Sequence, residues 1–221
     1  MAKSDNPKKL LVEGQDDLRV IPELIKKHGI TWVDKKEQPI ILINECKGFD
    51  NITSDLIYTE LQTGGRTHLG LVVDGDVEPL SRWQSLRNTV LSSIRQPNSI
   101  EIPKQIPETG LIFNTPDGQK FGVWMMPDNI IPGMLETFLG YMIPQEGTSL
   151  WQYAQEVARE AKNQGATFKD SYIHKAEIYT WLAWQNKPGR QIHQAIKYNI
   201  LNPQDAKVQG FITWFKTLYD L

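Results

Sequence analysis

LLVEGQDD, Leu10–Asp17, is the stretch that decides the fold. Leu10, Leu11 and Val12 form an apolar run without a turn residue, the mark of a short buried strand. Glu13 and Gly14 stand where that strand ends. The chain continues as LRVIPELIKKHG, with Leu18, Ile21, Leu24 and Ile25 at helical spacing and a glycine stop, so a helix is expected over about Asp16–Lys27. Pro22 fits early in such a helix but not at its centre. A carboxylate at the carboxyl end of a buried strand sits at the rim of an α/β sheet, where ligands bind. Gly14 is expected to let the backbone turn and to leave room beside the acid. Asp17 reads equally well as a helix cap and as a ligand.

The same grammar recurs at HLGLVVDGDVEP, His68–Pro79. An apolar strand, Leu69–Val73, runs into Asp74-Gly75-Asp76, two carboxylates that can converge on one cation while Gly75 keeps the turn open. Oxygen ligands at a strand end suit Mg²⁺ or Mn²⁺. Glu13, Asp74 and Asp76 then make three acids at two strand ends.

This pairing of Glu-Gly after a first strand with Asp-x-Asp after a later one resembles the Toprim domain superfamily, over roughly the first two thirds of the chain. The length, the PDN…GMLE segment and a lysine-bearing tail resemble small stand-alone Toprim-related proteins of unknown function, distantly similar to the overcoming-lysogenization-defect (OLD) nucleases. The resemblance implies a metal-dependent nuclease or other nucleic-acid phosphodiester-processing protein, with Mg²⁺ or Mn²⁺ as cofactor. It implies catalytic roles for Glu13, Asp74, Asp76, Glu136 and Lys175, metal ligation by Glu13, Asp74, Asp76 and Asp128, and support from Gly14, Asp17 and Gly75. Read without it, Glu136 among Met134, Leu135, Phe138 and Leu139 belongs on the solvent face of a short helix, Lys175 is a solvent-facing helix lysine, and Asp128 is a cap or Asx-turn.

Between the two motifs, PIILIN (Pro39–Asn44) reads as a second strand and Asp50–Leu61 as a second helix capped by Asp50. Pro79 opens a third helix with Trp83, Leu86, Val90, Leu91 and Ile94 on one stripe. Three strand–helix units in series predict a mostly parallel sheet flanked by helices. Gly110–Asn114 and Lys120–Met126, joined through Asp117-Gly118, predict an antiparallel hairpin at the sheet edge. After Pro144 the pattern is helical, at about 149–163, 171–185, 191–198 and 208–218. The expected organisation is a Toprim-like α/β core over 8–143 and a helical C-terminal region over 148–221, packed on the core or beside it.

Composition bounds the partners. The 221 residues carry 24 Lys and Arg against 26 Asp and Glu, a net charge of −2, so a global basic footprint for nucleic acid is absent and DNA or RNA must be met locally. The single cysteine, Cys46, excludes an intrachain disulfide, fits a reducing cytoplasm, and reads as a buried structural thiol. No run is long enough to span a membrane, and MAKSDNPKK holds no apolar signal core. The four histidines show no zinc spacing. A dehalogenase-like phosphatase would carry its Asp-x-Asp after the first strand, where this chain has Glu-Gly; a glycine-rich dinucleotide fingerprint is missing. The competing reading is a non-catalytic, metal-dependent protein that binds nucleic acid or a protein partner.

Overall fold

A computed structural model describes residues 6–32 and 39–221. The polar residues 1–5 of the N-terminal stretch read above lie outside the described residues. The elements run β1 (Lys8–Val12), α1 (Gln15–Lys27), β2 (Leu42–Glu45), α2 (Ser54–Gln62), β3 (His68–Asp74), α3 (Pro79–Ser93), β4 (Leu111–Asn114), β5 (Lys120–Met126), α4 (Leu135–Gly140), α5 (Thr148–Asn163), α6 (Ile173–Ala183), α7 (Ile192–Lys197) and α8 (Gln209–Tyr219). The sheet has five strands in the order β2-β1-β3-β5-β4. β1 pairs in parallel with β2 and β3, β3 pairs in parallel with β5, and β4 closes the edge antiparallel to β5. The fold is therefore α/β, a mostly parallel sheet flanked by helices with further helices at its C-terminal end.

Strand alternation divides the core in two, because successive side chains point to opposite faces. Leu10, Val12, Val72, Trp124 and Met126 face α1 and the C-terminal helices. Leu11, Leu71, Val73, Val123 and Met125 face α2 and α3. The C-terminal region shares the first of these cores: Phe211, Trp214, Phe215, Leu218 and Tyr219 are buried in the same cluster as Leu10 and Trp124. Two glycines make that contact close. Gly70 of β3 and Gly122 of β5 are register partners. A Cβ on Gly70 would stand 2.5 Å from Tyr219 Oη and 2.9 Å from Leu218 Cδ2; one on Gly122 would stand 2.9 Å from Leu218 Cδ1. The Tyr219 hydroxyl donates to the Lys9 carbonyl at 2.7 Å, so α8 is tied to β1 as well as seated on β3 and β5.

Three local expectations change. Pro22 lies inside α1, whose buried residues Val20, Ile21, Leu24 and Ile25 hold the helix on the sheet across the missing backbone donor. The second strand starts at Leu42 rather than Pro39. Asp50 does not cap α2: it lies in a short 3₁₀ turn, Phe49–Asn51, and Thr53 caps the helix through Oγ1, which accepts from the Leu56 amide at 3.2 Å.

Candidate functional site

The chain leaves β1 for β2 on one side and returns to β3 on the other. That reversal makes the crevice between the carboxyl ends of β1 and β3 the topological switch point of the sheet, the usual seat of a ligand in such folds. Glu13 follows the last residue of β1 and Asp74 is the last residue of β3. The Asp74 amide donates to Glu13 Oε2 at 3.2 Å, so the glutamate reaches across the end of the neighbouring strand. Both residues line a cleft of about 910 Å³ together with Gly14, Asp17, Asp76, Glu136 and Lys175.

Each wall has a local cause. Asp17 sits in the first turn of α1, and its Oδ2 accepts from the Gly14 amide at 3.1 Å. It is only 5 % exposed and lines the cleft, so the helix-cap role and the place at the site coexist. Gly14 has an extended backbone, φ −126°, open to any residue; the glycine is not needed for a turn, and its value is space, because a Cβ there would lie 3.3 Å from Asp17 Oδ2. Gly75 is required more strictly. Its amide donates to the Met126 carbonyl at 2.9 Å, and a Cβ would come within 2.8 Å of that oxygen. Asp76 adopts φ +50° and exchanges backbone hydrogen bonds of 2.8 and 2.7 Å with Gly133, which fixes the loop after β3.

Glu136 comes from α4, beyond β5. It is 5 % exposed and turned into the cleft, not to solvent as its neighbours in the sequence suggest. Lys175 of α6 bridges Glu136 Oε1 at 3.2 Å and Asp16 Oδ2 at 3.1 Å. The helical region thus contributes a side chain to the rim of the sheet. Asp128 does not join the cleft. Its Oδ1 accepts from the amides of Ile130 and Ile131 at 3.1 and 3.0 Å, and its Oδ2 from the Tyr141 hydroxyl at 2.7 Å, an Asx-type turn brace.

Burial and crowding set the electrostatics. Burial, with the Glu136 and Glu13 carboxylates adding to it, pushes Asp17 from 3.8 up to about 7 against the opposing pull of the Gly14 amide. Burial also raises Asp74 well above the ordinary carboxylate range, and Asp17, Glu13 and Glu136 raise it further, while the Leu135 amide, donating to Oδ1 at 3.1 Å, pulls it back. For Lys175 burial acts to lower the ammonium, but Glu136 and Asp16 outweigh it and leave the pKa above its ordinary value.

Glu13, Asp16, Asp17, Asp50, Asp74, Asp76, Glu78 and Glu136 line the cleft against two cationic side chains, Arg82 and Lys175. Asp74 Oδ2 receives no hydrogen bond from the described residues. Crowded carboxylates with an open oxygen on Asp74 suit a hard divalent cation, and the all-oxygen donor set fits Mg²⁺ or Mn²⁺. Among the described residues no three carboxylate, imidazole or thiol side chains are already drawn together around one point as a metal cage. Asp76 instead pairs with Arg82, whose guanidinium lies 4.0 Å from the centroid of the Phe49 ring. Sequence reasoning missed Arg82, Phe49 and the pairing of Asp16 with Lys175. The signal for Arg82 was its place one turn beyond Glu78 at the start of α3, legible only once Asp76 is known to face that turn.

Comparison with known proteins adds a family and no activity. The chain matches, over residues 7–220, the family described as protein of unknown function (DUF3226), and it belongs to that family. No curated protein and no solved structure matches it. Among the described residues no helix is long and apolar enough to cross a membrane.

Proposed function

We propose that this protein is a Toprim-type, Mg²⁺- or Mn²⁺-dependent nuclease or related nucleic-acid phosphodiester-processing protein of the cytoplasm. The observation that carries the reading is the meeting of Glu13, Asp17, Asp74, Asp76 and Glu136 in one cleft at the switch point of the sheet. Structural caps account for one oxygen each of Asp17 and Asp74, which take the Gly14 amide and the Leu135 amide at the start of α4. They do not account for Glu13 reaching the Asp74 amide beside the open Asp74 Oδ2. A cleft this acidic repels a phosphodiester unless cations stand between, so the carboxylates favour a metal-bridged substrate over direct phosphate binding.

Glu13, Asp74 and Asp76 would hold the metal, with Asp17 and Glu136 within the same charged set. Bound divalent ions supply Lewis-acid stabilisation of the phosphate and a water of lowered pKa. Glu13, whose Oε2 accepts the Asp74 amide, would either help to hold a metal ion or serve as general base toward a water. The Lys175 ammonium, kept protonated by Glu136 and Asp16, holds α6 against the site and brings positive charge to the phosphate. The half-buried Cys46 thiol, pushed up to about 11 chiefly by burial, is inert at neutral pH and accords with a reducing compartment.

The test is a panel of single- and double-stranded DNA and RNA with Mg²⁺ or Mn²⁺. The wild type is expected to cut at least one member, and Glu13→Gln and Asp74→Asn to lose on the order of a hundredfold or more in rate. No cutting across the panel, with metal-dependent binding retained, replaces the nuclease reading by a non-catalytic nucleic-acid binder.

A further inference from the structure

The second wall of the cleft has a different chemistry, and it bears on the ligand that the metal-dependent reading requires; the inference here rests on that reading. Ser81, Arg82 and Ser85 lie in the first two turns of α3, Ser85 three residues beyond Arg82 and four beyond Ser81, and all three line the cleft. Ser81 and Ser85 are exposed, so their hydroxyls are open to a ligand in the cleft. Arg82 is stacked on Phe49 and paired with Asp76. The stacked ring supports the guanidinium plane, leaving its planar fork to choose an oxyanion partner in the cleft. The backbone of Asp76 is fixed by its two hydrogen bonds to Gly133, so a change of partner at Asp76 is a side-chain event.

We propose that Arg82 is a phosphate-responsive latch on Asp76: a phosphate ester, seated on Ser81 and Ser85, draws the guanidinium off Asp76 and thereby releases that carboxylate to the divalent cation. Asp76 has two competing cationic partners, Arg82 and the metal. Arg82 has two competing anionic partners, Asp76 and the phosphate. Guanidinium–phosphate pairing is bidentate and charge-assisted, and the Asp76 side chain, 41 % exposed, is not locked into its present ion pair by burial. Whatever favours the Arg82–phosphate contact therefore favours the Asp76–metal contact, and by reciprocity each ligand tightens the other. The ligand class is a phosphate ester with at least two free oxygens on one phosphorus, as in a nucleic-acid backbone.

The experiment is calorimetric titration of Mg²⁺ into the full chain, with and without dimethyl phosphate, a cleavage-resistant phosphodiester that keeps both free oxygens, as the probe. The probe is expected to raise Mg²⁺ affinity roughly fivefold or more in the wild type. In Arg82→Gln, Mg²⁺ alone binds more tightly than to the wild type and the probe adds less than about twofold. In Asp76→Asn the coupling also falls below about twofold, while the probe alone binds more tightly because Arg82 has lost its rival. Coupling that persists unchanged in Arg82→Gln overturns the latch and leaves the metal-bound reading standing. Wild-type Mg²⁺ binding that Asp74→Asn leaves unchanged removes the metal-bound reading, and the latch with it. Circular dichroism of each variant separates loss of fold from loss of coupling.

Discussion

Strand β3 passes through two opposed environments within five residues. At Gly70 it has no side chain, and the vacant space is filled by Leu218 and Tyr219 of α8, both fully buried. The one polar atom brought there, Tyr219 Oη, donates to the Lys9 carbonyl. At Asp74 the same strand ends among carboxylates: burial raises the Asp74 pKa, Asp17, Glu13 and Glu136 raise it further, and its Oδ2 stays open. Mid-strand, shape and polarity are both satisfied. At the carboxyl end, packing holds charges where they repel. The first region stabilises the fold, and the second draws on that stability to keep a strained electrostatic arrangement that a ligand can relieve.

The sharpest way to break that comparison is to fill the space at Gly70. In Gly70→Val the added atoms begin with a Cβ 2.5 Å from Tyr219 Oη and 2.8 Å from Leu10 Cδ1. α8 must lift or the strand must shift, and urea unfolding is expected to show a loss of about 3 kcal/mol. Gly64→Ala is the matched control: nothing lies within 4 Å of its Cβ, and it should change stability by less than about 0.5 kcal/mol. A loss below about 1 kcal/mol for Gly70→Val would mean that α8 is not seated on the sheet as described.

At the other end of β3 the sign reverses. An acid whose pKa is higher in the folded chain holds its proton more tightly there, so its contribution favours folding at low pH. For Asp17, moved from 3.8 to about 7, that contribution is complete below about pH 4 and is lost as pH rises through 7; Asp74 acts in the same direction. In chelator, the site thus makes the protein less stable on going from pH 4.5 to 7.5. Asp74→Asn keeps the acceptor for the Leu135 amide and removes one charge, and is expected to gain about 1–2 kcal/mol at pH 7.5 while losing the Asp74 share of this pH slope and keeping that of Asp17. The difference between the two proteins isolates the site from His28 and His193, whose imidazoles burial pushes down and whose contribution runs the opposite way. Millimolar Mg²⁺ or Mn²⁺ should raise the melting temperature of the wild type at pH 7.5 and not that of the variant. A variant no more stable than the wild type in chelator would remove the claim that burial and the neighbouring carboxylates disfavour the charged Asp74.

The two regions were not equally legible. Glu13, Asp74 and Asp76 stand out because each follows an apolar run, and strand ends are set by local pattern. Their meeting follows from parallel pairing of β1 and β3, which strand–helix alternation predicts. Glu136 and Lys175 were different. Local pattern sends both to solvent, and only the packing of α4 and α6 onto the first core turns them inward. Gly70 and Gly122 gave no signal at all, since the atoms that need their space lie about a hundred residues or more downstream in α8. Arg82 was silent for a related reason: its partner Asp76 faces it through a left-handed residue and a backbone pair with Gly133 that no periodicity encodes.

Gly14, the glycine that the sequence made most of, supplies the smallest and most discriminating test. Its backbone is extended, so alanine is sterically allowed and gains a few tenths to about 1 kcal/mol by restricting the unfolded chain. Against that, the new Cβ lies 3.3 Å from Asp17 Oδ2, the oxygen that accepts the Gly14 amide, and the carboxylate must move by a few tenths of an ångström. The two effects are of similar size, so Gly14→Ala should leave stability in chelator within about 0.5 kcal/mol of the wild type. The moved carboxylate lies inside the charged set of the cleft, where small displacements change cation contacts directly. The expected outcome is a melting temperature nearly unchanged in chelator and a smaller rise than the wild type on adding Mg²⁺. Gly64→Ala, far from the cleft, should show the full rise. If Gly14→Ala responds to Mg²⁺ as the wild type does, Asp17 belongs to the helix cap alone, and the cation is held by Glu13 and the residues after β3 without it.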